Sequence, residues 1–103
     1  MNYGNTEMTL FNSEELRQNE QAFTLLDIRN HSEVKAGKIF ANAIHIPLHE
    51  LRERTNEIPV HKPIVVHCAG GYRSAAGSSI IKSKLNSTSQ VFDLSEAVKQ
   101  FQK

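Results

Sequence analysis

One cysteine, Cys68, stands in the stretch VVHCAGGYRS, between an apolar run and two adjacent glycines. A lone thiol cannot close an intramolecular disulfide, so its placement needs its own explanation. Thiolate is the nucleophilic form of cysteine, and a free thiol ionises only at about pH 8.5. The residues that follow are of the kinds that lower this value. Gly70 and Gly71 permit a tight loop whose N–H groups turn inward as an anion-holding nest. A helix starting at Tyr72 or Arg73 directs the positive end of its dipole at the same point, and Arg73 adds a full charge. Three sources of positive potential are therefore expected to meet at Cys68 and hold it as a thiolate near neutral pH. The chemistry this permits is covalent catalysis, with Cys68 as nucleophile and Ala69, Gly70, Gly71, Tyr72 and Arg73 as the substrate-binding loop. The plainer reading is a cysteine acting as a small buried hydrophobe. The ordered set of strand, Cys, Gly-Gly, Arg and helix favours catalysis over it.

Such a loop needs a strand before it and a helix after it, and both are readable. Pro63 opens IVVH, Ile64 to His67, whose two β-branched valines suit a pleated, buried surface. From Tyr72 or Arg73 a helix is expected to about Leu85, with Ala76, Ile80, Ile81 and Leu85 marking the face that packs on a sheet. The small residues from Ala75 to Ser79 would let it lie close to strands, offsetting the roughly 1 kcal/mol that Gly77 costs inside a helix.

The rest of the chain supplies further alternating elements. Ser13, Glu14 and Glu15 read as the capped, acidic start of a helix to about Asn19. TLLDI, Thr24 to Ile28, is a short apolar run of buried-strand type. HSEVKA is a helical turn expected to stop at Gly37 in a left-handed conformation. Ala43 to Ile46 reads as a second strand, and Pro47 as the start of one amphipathic helix to about Asn56. After the polar NSTSQ turn, Val91 to Leu94 is a fourth strand and EAVKQF a closing helix. Strands alternating with helices predict an α/β fold: an open parallel sheet of about four or five strands with helices on both faces. Ligands of such sheets bind beyond the carboxyl ends of the strands, where Ile64 to His67 delivers Cys68.

Composition is consistent with one domain spanning residues 1–103, with residues 1–8 expected to fray. A chain this long can bury a sufficient core without disulfides or a metal. Hydrophobic residues make up 39 % and Lys+Arg number 12 against Asp+Glu 11, which favours neither disorder nor a nucleic-acid partner. Without an apolar run of membrane-spanning length or a signal-like start, and with one free thiol, the expected compartment is the cytoplasm and no membrane partner is expected.

These motifs resemble the rhodanese family from about Thr24 to Phe101. Asp27, Arg29, Glu33, Gly37, Ile39, Ile46 and Pro47 match its upstream pattern, and Cys68 to Arg73 matches its six-residue active-site loop. Lys38 replaces the usual histidine, Asn42 a glycine, and Leu94, Ser95, Glu96 and Ala97 stand for Leu-x-Gly-Gly, with Phe101 for tryptophan. The resemblance implies a rhodanese-like fold and a sulfurtransferase without cofactor or metal. A Cys68 persulfide would carry sulfane sulfur from thiosulfate or an organic persulfide to a thiol, protein thiols included, or to cyanide. With no second cysteine in these 103 residues, the acceptor is expected from outside. Two alternatives stand beside it. A non-catalytic binding or regulatory module would keep the fold without the reaction. A cysteine-dependent phosphatase or arsenate reductase would have five residues between Cys and Arg, and here there are four. The shorter loop brings the amides nearer the sulfur and leaves less room for a tetrahedral oxyanion.

The remaining signals are weaker. Asp27, Arg29 and Glu33 read as a structural charge network, Arg29 and Glu33 being four apart. His67 is expected on the opposite face of its strand from Cys68, as a packed or hydrogen-bonded side chain. His45 and His49 share the spacing of a metal pair, but Pro47 intervenes and no third ligand is evident. Tyr72 could rim the pocket or shield the loop. Lys62, Lys82, Lys84, Lys99 and Lys103 read as solvated surface.

Overall fold

The computed structural model describes residues 13–85 and 90–101. Residues 1–8, most of the NSTSQ turn and Lys103 lie outside them.

Among the described residues the apolar runs form four strands: β1 (Thr24–Asp27), β2 (Ile44–His45), β3 (Ile64–His67) and β4 (Val91–Asp93). They make one parallel sheet in the order β2-β1-β3-β4. Every residue of β1 and β3 is buried, as expected for central strands covered on both faces. Alternation along the pleat divides the core in two. Leu25 and Val65 face one side with Leu16, Phe40 and Val98, whereas Leu26 and Val66 face the other with Leu51 and Ile81.

The helices covering the sheet are α1 (Ser13–Gln18), α2 (His31–Ala36), α3 (Leu51–Arg54) and α4 (Tyr72–Leu85). On the first face, α1 joins the final segment, where Arg17 lies 4.5 Å over the Phe101 ring. On the second, α4 buries Ser74, Gly77, Ser78 and Ile81. The expected face of α4 is thus turned: Ala76 is exposed, and Gly77 touches the sheet in its place. A Cβ on Gly77 would lie 2.7 Å from Ile28 Cδ1 and 3.3 Å from Val66 Cγ1, so the close approach needs the missing methyl.

Three further expectations are corrected. Gly37 does end α2, its N–H reaching the Glu33 and Val34 carbonyls, but with φ 165° it is extended and not left-handed. The single helix expected after Pro47 is three short pieces, with 3-10 turns at Leu48–Glu50 and Thr55–Glu57 around α3. The closing helix, Ser95–Gln100, is also 3-10. Lys38 ties its own loop together, its Nζ donating to the Ala41 and Ala43 carbonyls at 3.0 Å each.

Candidate active site

The strand order branches between β1 and β3: the chain leaves β1 for one edge and β3 for the other. Beyond their carboxyl ends lies the crevice where ligands of open parallel sheets bind. β3 is anchored there on both sides. Ile28 donates to the His67 carbonyl at 3.1 Å and Leu94 to the Val66 carbonyl at 2.9 Å, fixing the backbone that presents Cys68.

The loop after Cys68 turns back on it. The Gly71 amide donates to Sγ at 3.1 Å. Ser74 closes the first turn of α4, its hydroxyl donating to the Gly71 carbonyl at 3.1 Å, and Ser78 Oγ donates to the Ser74 carbonyl at 2.8 Å. Burial pushes the Cys68 thiol up. The amides of Gly71, Gly70 and Ser74, with the Ser74 hydroxyl, outweigh it and hold the thiol below its usual range. The expected nest is present, and sequence reasoning omitted Ser74 from it. Its only sequence signal is a hydroxyl in the first turn of the helix that follows the loop.

The two glycines differ. Gly71 has φ 109°, and a Cβ there would meet the Ser95 carbonyl carbon at 3.1 Å and the Glu96 nitrogen at 3.2 Å. Gly70 is outside the left-handed region and has open space around it, so of the two only Gly71 is required by the fold. The abutting turn is unusual too. Ser95 has φ 59°, and its amide donates to Asp93 Oδ1 at 2.8 Å, a local bond that supports the left-handed residue.

Arg73 lies within reach of the Cys68 sulfur, as expected, but it is not an unpaired cation. Its Nη1 and Nη2 donate to Glu33 Oε1 and Oε2 at 2.7 and 3.0 Å, a bidentate pair joining α4 to α2. Arg73 holds Glu33 well below the usual carboxylate range, at about 2, and the Asn30 amide assists. The expected network of Asp27, Arg29 and Glu33 is present in part: Arg29 acts on Glu33 through its charge, while the carboxylate's ion pair is with Arg73. Arg29 itself turns to Asp27, Nη2 to Oδ2 at 2.8 Å, with both side chains buried, and also donates to the Gly37 carbonyl at 3.0 Å. Glu33 and Arg73 are 40 residues apart, and nothing local in the sequence joins them.

His67 lies on the face away from Cys68, as expected, against the Phe40 ring with centroids 4.9 Å apart. Burial pushes its pKa down to about 4, so it is neutral at pH 7 and the 3.9 Å approach to Asp27 Oδ2 is not an ion pair there. Neither ring nitrogen has a hydrogen-bond partner among the described residues. His45 Nε2 lies 2.7 Å from the Arg29 carbonyl, and His49 Nε2 lies 3.4 Å from Glu50 Oε2, so the two rings serve different partners. Ala69 is half-buried, whereas Tyr72 is 91 % exposed and stands clear of the cradle. Lys62 donates to the Gln21 carbonyl at 2.6 Å, and Lys82, Lys84 and Lys99 are exposed. Cys68 itself is only 1 % exposed and packs with Leu51 and Ile81.

Fold and site together define a parallel α/β domain with a thiol, acidified by backbone amides, at the carboxyl end of a central strand. A family model described as "Rhodanese-like domain" matches residues 12–103, and the chain belongs to that family. It is similar to the crystal structure of a rhodanese-related protein from Thermoplasma volcanium, with a TM-score of 0.74, 34 % identity, and 88 % of this chain and 87 % of that one covered. A NAD-dependent persulfide reductase from A. fulgidus is 36 % identical with a TM-score of 0.62, over 85 % of this chain but 15 % of that one. A sulfurtransferase of Allochromatium vinosum is 38 % identical over 50 residues, covering 48 % of this chain and 46 % of the relative. The match to the sulfurtransferase thus covers less than half of either protein, and the match to the reductase covers a small part of the reductase. No helix among the described residues is long and apolar enough to cross a membrane.

Proposed function

We propose that this domain is a sulfurtransferase that carries sulfane sulfur on Cys68. The thiolate attacks the outer sulfur of a donor, forming a Cys–S–S bond as the donor's own S–S bond breaks. From thiosulfate the electron pair leaves with sulfite. From a protonated organic persulfide it leaves with the thiolate RS⁻. A second nucleophile, a cellular thiolate or cyanide, then attacks the outer sulfur of the Cys68 persulfide and releases the Cys68 thiolate. The observation that carries this reading is the Gly71 amide 3.1 Å from Sγ, in a loop whose net effect favours the charged sulfur. The four-residue spacing from Cys68 to Arg73 supports transfer of one sulfur atom over chemistry on a tetrahedral oxyanion. A single thiol suits the reducing cytoplasm as the site of action.

The burial of Cys68 favours a second reading, a non-catalytic binding module. Mass spectrometry separates the two. After incubation with thiosulfate or glutathione persulfide, the sulfurtransferase gains the mass of one sulfur on Cys68 and loses it to cyanide as thiocyanate. Cys68→Ser gains none while keeping the wild-type circular dichroism spectrum. A wild-type protein that gains nothing from either donor is a binding module.

A further inference from the structure

We infer that Glu33 sets the donor preference of the Cys68 site by cancelling the charge of Arg73, so that a protonated organic persulfide is used in preference to the thiosulfate dianion. This rests on the sulfurtransferase reading above and deepens it.

The topology makes the pairing possible. Asp27 and His67 are register partners at the ends of β1 and β3, so α2 and α4 both start from the same end of the sheet at its branch point. Asn30 caps α2 in a capping box in which Glu33 Oε1 accepts the Asn30 N–H at 2.9 Å, which fixes the carboxylate. From there it grips Arg73, which lies within electrostatic reach of the Cys68 sulfur. Arg29, two residues beyond the end of β1, is engaged by buried Asp27. Glu96, whose backbone abuts Gly71, is exposed. The loop therefore offers a fixed set of N–H dipoles and a neutral ion pair in place of a net positive charge.

That arrangement discriminates between donors by charge. Attack of a thiolate on thiosulfate brings three negative charges together and releases sulfite, which calls for an uncompensated cation. Attack on RSSH carries one negative charge from Cys68 to the leaving RS⁻, and amides suffice for a single anion. Withholding the cation is thus selection against the dianion more than attraction of the persulfide.

Glu33→Gln tests this, because glutamine keeps the acceptor for Asn30 while it removes the charge and the second acceptor of Arg73. The expected result is a rise of roughly tenfold in the ratio of kcat/KM for thiosulfate to kcat/KM for glutathione persulfide. The Cys68 thiol pKa, read from the pH dependence of alkylation, falls in the same variant as the Arg73 charge is released. Arg73→Gln shifts both readouts the other way and serves alone if Glu33→Gln fails to fold. An unchanged donor ratio overturns the inference. So does a raised thiol pKa in Glu33→Gln, which would mean that Glu33 aims Arg73 at the sulfur. If neither donor loads wild-type Cys68, the sulfurtransferase reading fails and the donor preference with it, whereas loading with an unaltered ratio removes only the inference.

Discussion

Gly70 and Gly71 are identical in sequence and occupy neighbouring positions, yet the structure asks different things of them. Gly71 combines a left-handed φ of 109° with backbone atoms of Ser95 and Glu96 just over 3 Å from where a methyl would be. Alanine there is expected to cost about 2 kcal/mol or more, because conformational strain and contact with unyielding backbone add. It also misdirects the amide that holds Sγ, so the thiol pKa rises. Gly70→Ala meets open space and is expected to stay within about 0.5 kcal/mol of wild type. Urea denaturation of the two variants, read beside their alkylation pH profiles, checks the contrast. Equal losses would mean that the loop needs both glycines. Sequence reading treated the pair as one device because the spacing from Cys68 to Arg73 says that the loop is tight without saying which residue takes the turn.

The strands were legible since TLLD and IVVH are short apolar runs bounded by polar residues and Pro63, and a buried parallel sheet demands such runs. Helices were less so. A hydrophobic stripe does not distinguish three-residue from four-residue hydrogen-bond spacing: of the one helix expected after Pro47 only Leu51–Arg54 is α, with 3-10 turns on either side, and the closing helix Ser95–Gln100 is 3-10. The buried face of α4 was misread because its tightest contact is made by an absent side chain. Gly77 has no hydropathic signature, and its neighbours, Ile28 just beyond β1 and Val66 within β3, lie far from it in sequence or in another element. At this scale the expected behaviour is coupled. Gly77→Ala gains helix propensity but drives a methyl into Ile28 Cδ1, for a net loss of about 1–3 kcal/mol. Ile28→Val removes that atom, so the double variant is expected to be more stable than the sum of the single losses. Additive unfolding free energies would show that α4 does not rest on Ile28.

For the molecule as a whole, the site is assembled by strand order. Asp27 and Arg29 follow from local sequence, but Glu33 meets Arg73 because β1 and β3 are neighbours, a fact of topology that one sequence shows only through its alternation of elements. Global stability should carry a signature of His67, buried between Phe40 and Asp27. Its folded-state pKa of about 4 lies below the unfolded value of about 6.5, so between these the unfolded chain binds a proton that the native state refuses. Stability is therefore fully present above pH 6.5 and is lost as pH falls toward 4, by on the order of 3 kcal/mol. The Asp27 carboxylate, pushed up by burial but held below its usual range chiefly by Arg29, loses its share only at lower pH. Unfolding free energies from pH 7 to pH 4.5 should slope for wild type and flatten in His67→Leu. An equal slope in both would assign the effect elsewhere. A different consequence follows from the burial of Cys68 among Leu51 and Ile81. The atom that handles cargo is also masonry, so each delivery replaces one brick with a larger one. Charged and empty domains should then melt at different temperatures, and a thermal scan alone would tell which of them a preparation contains.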